Sequence, residues 1–149
     1  HHVKLAATVA NKDKVDEIMK ARKEYKGSGN PVLYTTTDLL TDWMVARDTL
    51  GRRIHASKAD LAAELGVSDI VEVEVLAGLQ RTVGADTLNL VGIIVNLTDY
   101  TVGADKGGEI NMFDDFDIDF NQQKYLIELR ASGALTKPKS AIVIEQLVA

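Results

Sequence analysis

Cysteine is absent from all 149 residues. That excludes a disulfide framework, a thiolate nucleophile and a cysteine zinc site. Proline is nearly absent: Pro31 and Pro138 are the only two. Lacking an N–H, each marks a place where a strand begins, borders or stops. Histidines number three. His1 and His2 read as a purification-tag remnant and stand outside fold reasoning. His55 has no second histidine or carboxylate at ligand spacing, so neither a metal nor a general-base role is assigned to it. No apolar run approaches the roughly 18 to 20 residues that span a bilayer, and no basic segment precedes an apolar one. The expectation is a chain without anchor or export signal, made in a cytoplasm. The sequence also lacks G-x-x-x-x-G-K, G-x-G-x-x-G and G-x-S-x-G, the minimal parts of phosphate-cradling loops and nucleophile elbows. A non-enzyme with no cofactor and no catalytic, cofactor-binding or metal residues is expected.

Positive charge is in deficit, with 17 Lys and Arg against 22 Asp and Glu and a net charge of -5. Nucleic-acid binders gain affinity from clustered cations, so a phosphate-tracking surface is not expected. The nearest approach to one, Lys20 to Lys26, falls on a helix whose lysine stems lie along a solvated face. What is present is ordinary for a globular protein, 46% hydrophobic and 26% charged. A chain of this length buries about two thirds of its unfolded surface without staples.

The pattern predicts an α+β fold, a mixed central β-sheet flanked by helices with extended C-terminal strands. A helix is predicted over 12–26, capped by Asn11, with Val15, Ile18, Met19 and Tyr25 on one stripe. A loop at 27–31 leads to a strand at 31–35, and Thr37 can cap a helix over 38–47 in which Leu39, Leu40, Trp43 and Met44 face the core. Ser57 with Asp60 three residues on opens a third helix that Gly66 ends. Residues 71–75 alternate as a one-sided strand. Residues 88–97 form a nearly continuous apolar run, suited to the sheet centre, with Gly92 predicting a bulge or a close backbone approach. Residues 103–108 have the composition of a tight connection.

The stretch 109–144 reads as strand, turn, strand, with the rest of the chain packed around it. Over 115–120, Phe116, Ile118 and Phe120 alternate with Asp115, Asp117 and Asp119. Over 124–131, Tyr125, Ile127, Leu129 and Ala131 oppose Lys124, Glu128 and Arg130, with Leu126 the one breach. Gly133 ends that strand, and 141–144 is a short buried one. Asp114, Asp115, Asp117 and Asp119 invite comparison with a calcium loop, which needs Gly at its sixth position and Glu at its twelfth. Counted from Asp115, those positions hold Phe120 and Leu126. The acids read instead as the wet face of a strand.

The order of these features resembles the major capsid proteins of tailed bacteriophages, whose fold is shared with herpesvirus shells. The resemblance rests on the acid-rich strand, Asn121, the strand ending in Leu129-Arg130, Gly133-Ala134-Leu135, Lys137-Pro138 and Ala141 to Ile144, and on an earlier block. That block runs helix, strand, helix, the turn Asp48 to Ile54 with its D-x-x-G-R pattern, and the strand Val91 to Val95. It spans about residues 11 to 146. It implies an axial-domain-like region at 3–108, peripheral-domain-like strands at 109–136 and a closing strand at 137–149, with 1–2 as tag remnant. The implied function is that of a structural subunit fragment of an icosahedral phage capsid, forming hexamers and pentamers around viral DNA. Its partners would be copies of itself, a scaffold and a maturation protease, with no sequence-specific nucleic acid and no membrane. Its location would be the virion capsid, assembled in a bacterial host cytoplasm. The family's N-terminal arm, extended loop and spine helix have no counterpart here. In cross-linking relatives an Asn and a Glu of the long strand take part in isopeptide bonds, and Asn121 and Glu128 fall at matching places. Two alternatives stay open: a small binding or accessory domain of a phage or bacterial protein, and a divalent-cation-dependent enzyme using Asp114 to Asp119.

Overall fold

The computed structural model describes residues 1–104 and 110–148. The chain forms two compact units, His1–Asp99 with Lys137–Ala149, and Tyr100–Thr136. In chain order the elements are β1 (His2–Leu5), α1 (Lys14–Arg22), β2 (Val32–Thr35), α2 (Thr37–Val45), α3 (Lys58–Leu65), β3 (Ile70–Glu72), β4 (Gln80–Val83), β5 (Asp86–Val95), β6 (Tyr100–Ala104), β7 (Asn111–Asp117), β8 (Gln122–Glu128), β9 (Ala131–Leu135) and β10 (Ala141–Leu147). The class is α+β with a mixed sheet, as the pattern predicts.

The first unit is built on β5. Its apolar run lets it lie inside the six-stranded sheet, ordered β1-β10-β5-β2-β3 with β4 also on β5. The β10–β5 and β5–β2 pairs are antiparallel, and β1–β10 and β2–β3 are parallel. Gly92 makes the close approach expected of it: a Cβ there would lie 3.0 Å from the Tyr34 carbonyl oxygen and 3.2 Å from Leu33 Cδ1. A bulge adjoins it, since Ile144 faces Gly92 while Glu145 faces Leu90, leaving Val91 unopposed on β10. The freed Val91 carbonyl accepts from the buried Thr35 hydroxyl at 2.9 Å. Because the bulge shifts parity by one residue, Leu88 and Leu90 join Ile93 on one face, while Ile94 faces the helices.

The helices cover that second face. Val15, Ile18, Leu40, Trp43, Leu61 and Leu65 pack with Leu33, Ile94, Ile142 and Ile144 in one buried cluster. Trp43 is core, as expected, and its indole N–H donates to the Asn11 carbonyl at 2.8 Å. Ser57 caps α3, accepting from Asp60 N at 3.2 Å and donating to its carboxylate at 2.8 Å, and Gly66 ends the helix at φ +66.

Several boundaries differ from expectation for identifiable reasons. The first helix is shorter than 12–26: it starts later because Asn11 does not cap it, its amide donating to Asp42 at 2.5 Å while residues 11–13 form a 3-10 turn, and it ends at Arg22. Met19 is 45% exposed rather than on the buried stripe. The cap of α2 is Thr36, not Thr37. The strand predicted over 71–75 stops at Glu72 and becomes a 3-10 turn, because its partner β2 ends at Thr35, one residue before the α2 cap. β4 has no counterpart among the predicted strands; it returns into β5 through the two-residue turn Gly84-Ala85, with Gly84 at φ +66. β10 runs three residues beyond 144 because Glu145, Gln146 and Leu147 continue its pairing with β5, and β1 joins its other edge as far as Gln146; β1 includes His2, set aside as tag remnant, and the His1 ammonium donates to Ala141 O at 3.0 Å.

The second unit holds two separate antiparallel pairs, β6 with β9 and β7 with β8. The expectation that 109–144 organises the chain is overturned: none of residues 110–136 belongs to the buried cluster, and β5 has that role. Gly133 does not end a strand but lies within β9, where the Tyr100 ring occupies the space of a Cβ. The tight connection predicted at 103–108 begins in β6, and its remainder, with the boundary at 108, lies outside the described residues.

Candidate functional site

The β7–β8 hairpin exposes several large apolar side chains, among them Met112, Phe113, Phe116, Tyr125, Leu126 and Ile127. Its register sets Met112 opposite Ile127, Asp114 opposite Tyr125 and Phe116 opposite Gln123 on one face. The other face carries Phe113 opposite Leu126, Asp115 opposite Lys124 and Asp117 opposite Gln122. Phe116 thus shares a face with Tyr125 and Ile127, as the period-two pattern predicts. Those three are 51 to 66% exposed, so the face expected to be dry is left open among the described residues. Ile118 and Phe120 are not in the strand at all. They lie in the turn 118–121, where Asn121 adopts φ +50 and Asp119 N donates to the Asp117 carboxylate at 3.1 Å.

The acids do not converge. Asp117 pairs with Lys124 and Asp119 sits in the turn. Among the described residues no three His, Asp or Glu are placed to hold a metal. Asn121, in the turn just before β8, and Glu128, the last residue of β8, lie about 23 Å apart at strand rise, and Glu128 accepts from Arg130 Nε at 2.9 Å. Within one chain they form no joint site. His55 is buried, with Nδ1 2.8 Å from the Glu64 carboxylate but off hydrogen-bonding geometry. Sequence spacing gave no sign of that carboxylate.

The turn after α2 is rigid. Asp48 Oδ1 accepts from Leu50 N and Arg52 N, both at 2.9 Å, and Oδ2 accepts from Arg52 Nε at 3.0 Å. These bonds, led by the Arg52 amide, hold the Asp48 carboxyl below its ordinary value. Arg47 Nη1 donates to Gly51 O at 2.7 Å, and Ile54 N to Ala46 O at 3.1 Å. Leu50 stands at the tip, 75% exposed.

Where the chain leaves and re-enters the first unit, a clamp joins the two passages. Asp99, 3% exposed, accepts from Ser28 N at 2.6 Å and pairs with Lys137 Nζ at 3.2 Å. Lys137 also donates to the Ser28 hydroxyl. The Ser28 carbonyl accepts from Asn96 Nδ2 at 2.9 Å and from the Tyr25 hydroxyl at 3.1 Å. The Ser28 amide, then its hydroxyl and Lys137, hold Asp99 below the usual carboxylate range against the effect of burial. A Cβ on Gly27 would lie 2.7 Å from Asp99 Oδ2. The loop 27–31 was legible in sequence, but nothing local marks Asp99, whose partners lie 71 residues before and 38 after it in the chain.

A second buried acid lies on the sheet face away from the helices. Glu145, 4% exposed, accepts from Arg81 Nε at 2.9 Å and Nη2 at 2.6 Å, with His2 Nδ1 at 3.2 Å. They border a shallow apolar groove of about 180 Å³ lined by Leu79, Leu88, Leu90, Ile93 and Val143.

The mixed sheet with helices on one face defines an α+β fold, and comparison with solved structures gives that fold a narrower identity. The capsid of an empty GTA particle, computed with C5 symmetry, superposes with a TM-score of 0.59 at 14% identity, over 97% of this chain and 50% of that one. The chain has a capsid-like fold and spans about half the length of the capsid chain it matches. No family model matches the sequence, and no curated protein matches it.

Proposed function

We propose that the chain is part of a structural subunit of a phage-type icosahedral capsid, one that associates with copies of itself into hexamers and pentamers enclosing viral DNA. The observation that carries this reading is the superposition of nearly the whole chain on a capsid chain. In this reading residues 3–108 are the axial domain, 109–136 the strands of the peripheral domain, and 137–149 the strand that returns to the axial sheet. The function is structural rather than catalytic and the location is the virion shell, with assembly in a bacterial host cytoplasm aided by a scaffold and a maturation protease. The uncovered apolar face of β7 and β8 supports it, because a subunit that tiles a shell buries such faces only on assembly.

Negative-stain microscopy of the polypeptide expressed from the parent reading frame, with the residues upstream of Val3 restored and scaffold and protease co-expressed, tests it. Uniform closed shells or hexameric rings are expected. A homogeneous small particle at every concentration overturns it.

A further inference from the structure

We infer that the arginine turn at 46–54 docks on the acidic segment 57–74 of a second copy, a head-to-tail contact that rests on the shell-subunit reading and names the surfaces by which copies join. The turn holds three arginines against one aspartate, followed by a segment with Asp60, Glu64, Asp69, Glu72 and Glu74 against Lys58 alone. Arginine beside an exposed aliphatic tip is a composition that interfaces favour, and Leu50 supplies that tip. The turn is already closed on itself through Asp48 and the Arg47 bond to Gly51, so docking requires little further ordering.

The segment offers the complementary chemistry. Glu72 and Glu74 are exposed, next to Val75 at 80% exposure on the 3-10 turn that follows β3. Within one chain the halves do not meet: among the described residues no ion pair joins Arg47, Arg52 or Arg53 to these acids. Arg52 pairs with Asp48, Glu72 with Lys58 at 3.5 Å, and Glu64 lies against His55. Two different surfaces on one subunit that fit each other but not themselves make a heterologous contact, which closes into rings when the rotation allows.

The test uses the full chain and the parent polypeptide, each carrying either Leu50→Glu with Arg53→Glu or Glu72→Lys with Glu74→Lys. None of the four side chains holds the turn or a helix cap together, and circular dichroism checks folding. Sedimentation at low salt should show either variant alone needing about tenfold or more higher concentration to associate. Mixing the two variants should restore association, since the native turn of one then meets the native segment of the other, a recovery that a folding defect does not give. Added salt should weaken the wild-type contact. Assembly of both variants at the wild-type concentration overturns the contact while leaving the shell reading standing. A wild-type parent polypeptide that never associates overturns both.

Discussion

Replacing Arg81 by Leu strands the Glu145 carboxylate in the apolar groove on the sheet face away from the helices. Two short hydrogen bonds from the guanidinium are lost, leaving only the half-exposed His2 ring at 3.2 Å, and Leu88, Leu90, Ile93 and Val143 offer no substitute. Removing one partner of a buried pair costs about 3 to 5 kcal/mol. The Arg81 side chain is 44% exposed, so water already screens part of the attraction and about 2 kcal/mol is the expected loss. With a urea dependence of about 2 kcal/mol per molar, the midpoint should fall by about 1 M. The pH dependence carries a sign. Burial pushes the Glu145 pKa up, but the Arg81 bonds and the charges of His2 and Arg81 outweigh it, so it lies below the ordinary glutamate value. Its contribution in the wild type is therefore present above the unfolded pKa and lost as the pH falls through the folded one. In Arg81→Leu burial prevails, the folded pKa rises, and the penalty stands at neutral pH and fades on acidification. Urea unfolding followed by Trp43 fluorescence at neutral and acid pH measures both. The double variant with Glu145→Leu should regain most of the stability. A loss below about 0.5 kcal/mol, a deficit independent of pH, or a double variant no better than the single refutes the reasoning.

Gly92→Ala places a methyl 3.0 Å from a ladder carbonyl that cannot retreat, and should cost about 1 to 3 kcal/mol by urea unfolding. Asp99→Asn should weaken the chain most near neutral pH. The Asp99 pKa is held down, so its stabilisation exists above the unfolded pKa and disappears in acid, and the unfolding midpoints of wild type and variant should converge there. Ile94→Ala, at 0% exposure, should cost about 2 to 5 kcal/mol. Ile127→Ala, at 66% exposure, should leave the stability of the isolated chain within about 0.5 kcal/mol while lowering the yield of assemblies from the parent polypeptide. Equal losses at the two positions would mean that the hairpin face is covered within the chain.

Period and punctuation carried much of the fold. Ser57, Asp60 and Gly66 announce α3 because caps are local chemistry, and the apolar run around Gly92 announces the sheet centre because a strand buried on both faces has no wet side to alternate with. Part of the face partition of β7 and β8 was legible from period-two alternation, which sets Phe116 with Tyr125 and Ile127. Element ends were not. β3 stops where β2 gives out and β10 lengthens because β5 continues beside it, and both events depend on a neighbour remote in sequence. The start of β7 was not legible either, because Met112-Phe113-Asp114-Asp115 puts one apolar and one acidic residue on each face and so shows no period-two alternation.

The sequence by itself determined the class of fold, most of the buried stripe of the helices, and the lack of any thiol, since each follows from residue type and spacing along the chain. Only the tertiary structure decided where the chain divides, which acids are buried and what satisfies them. Asp99 meets Ser28 and Lys137, and Glu145 meets Arg81, across separations of 38 to 71 residues, and no local pattern encodes a contact that the folding of the sheet must first create.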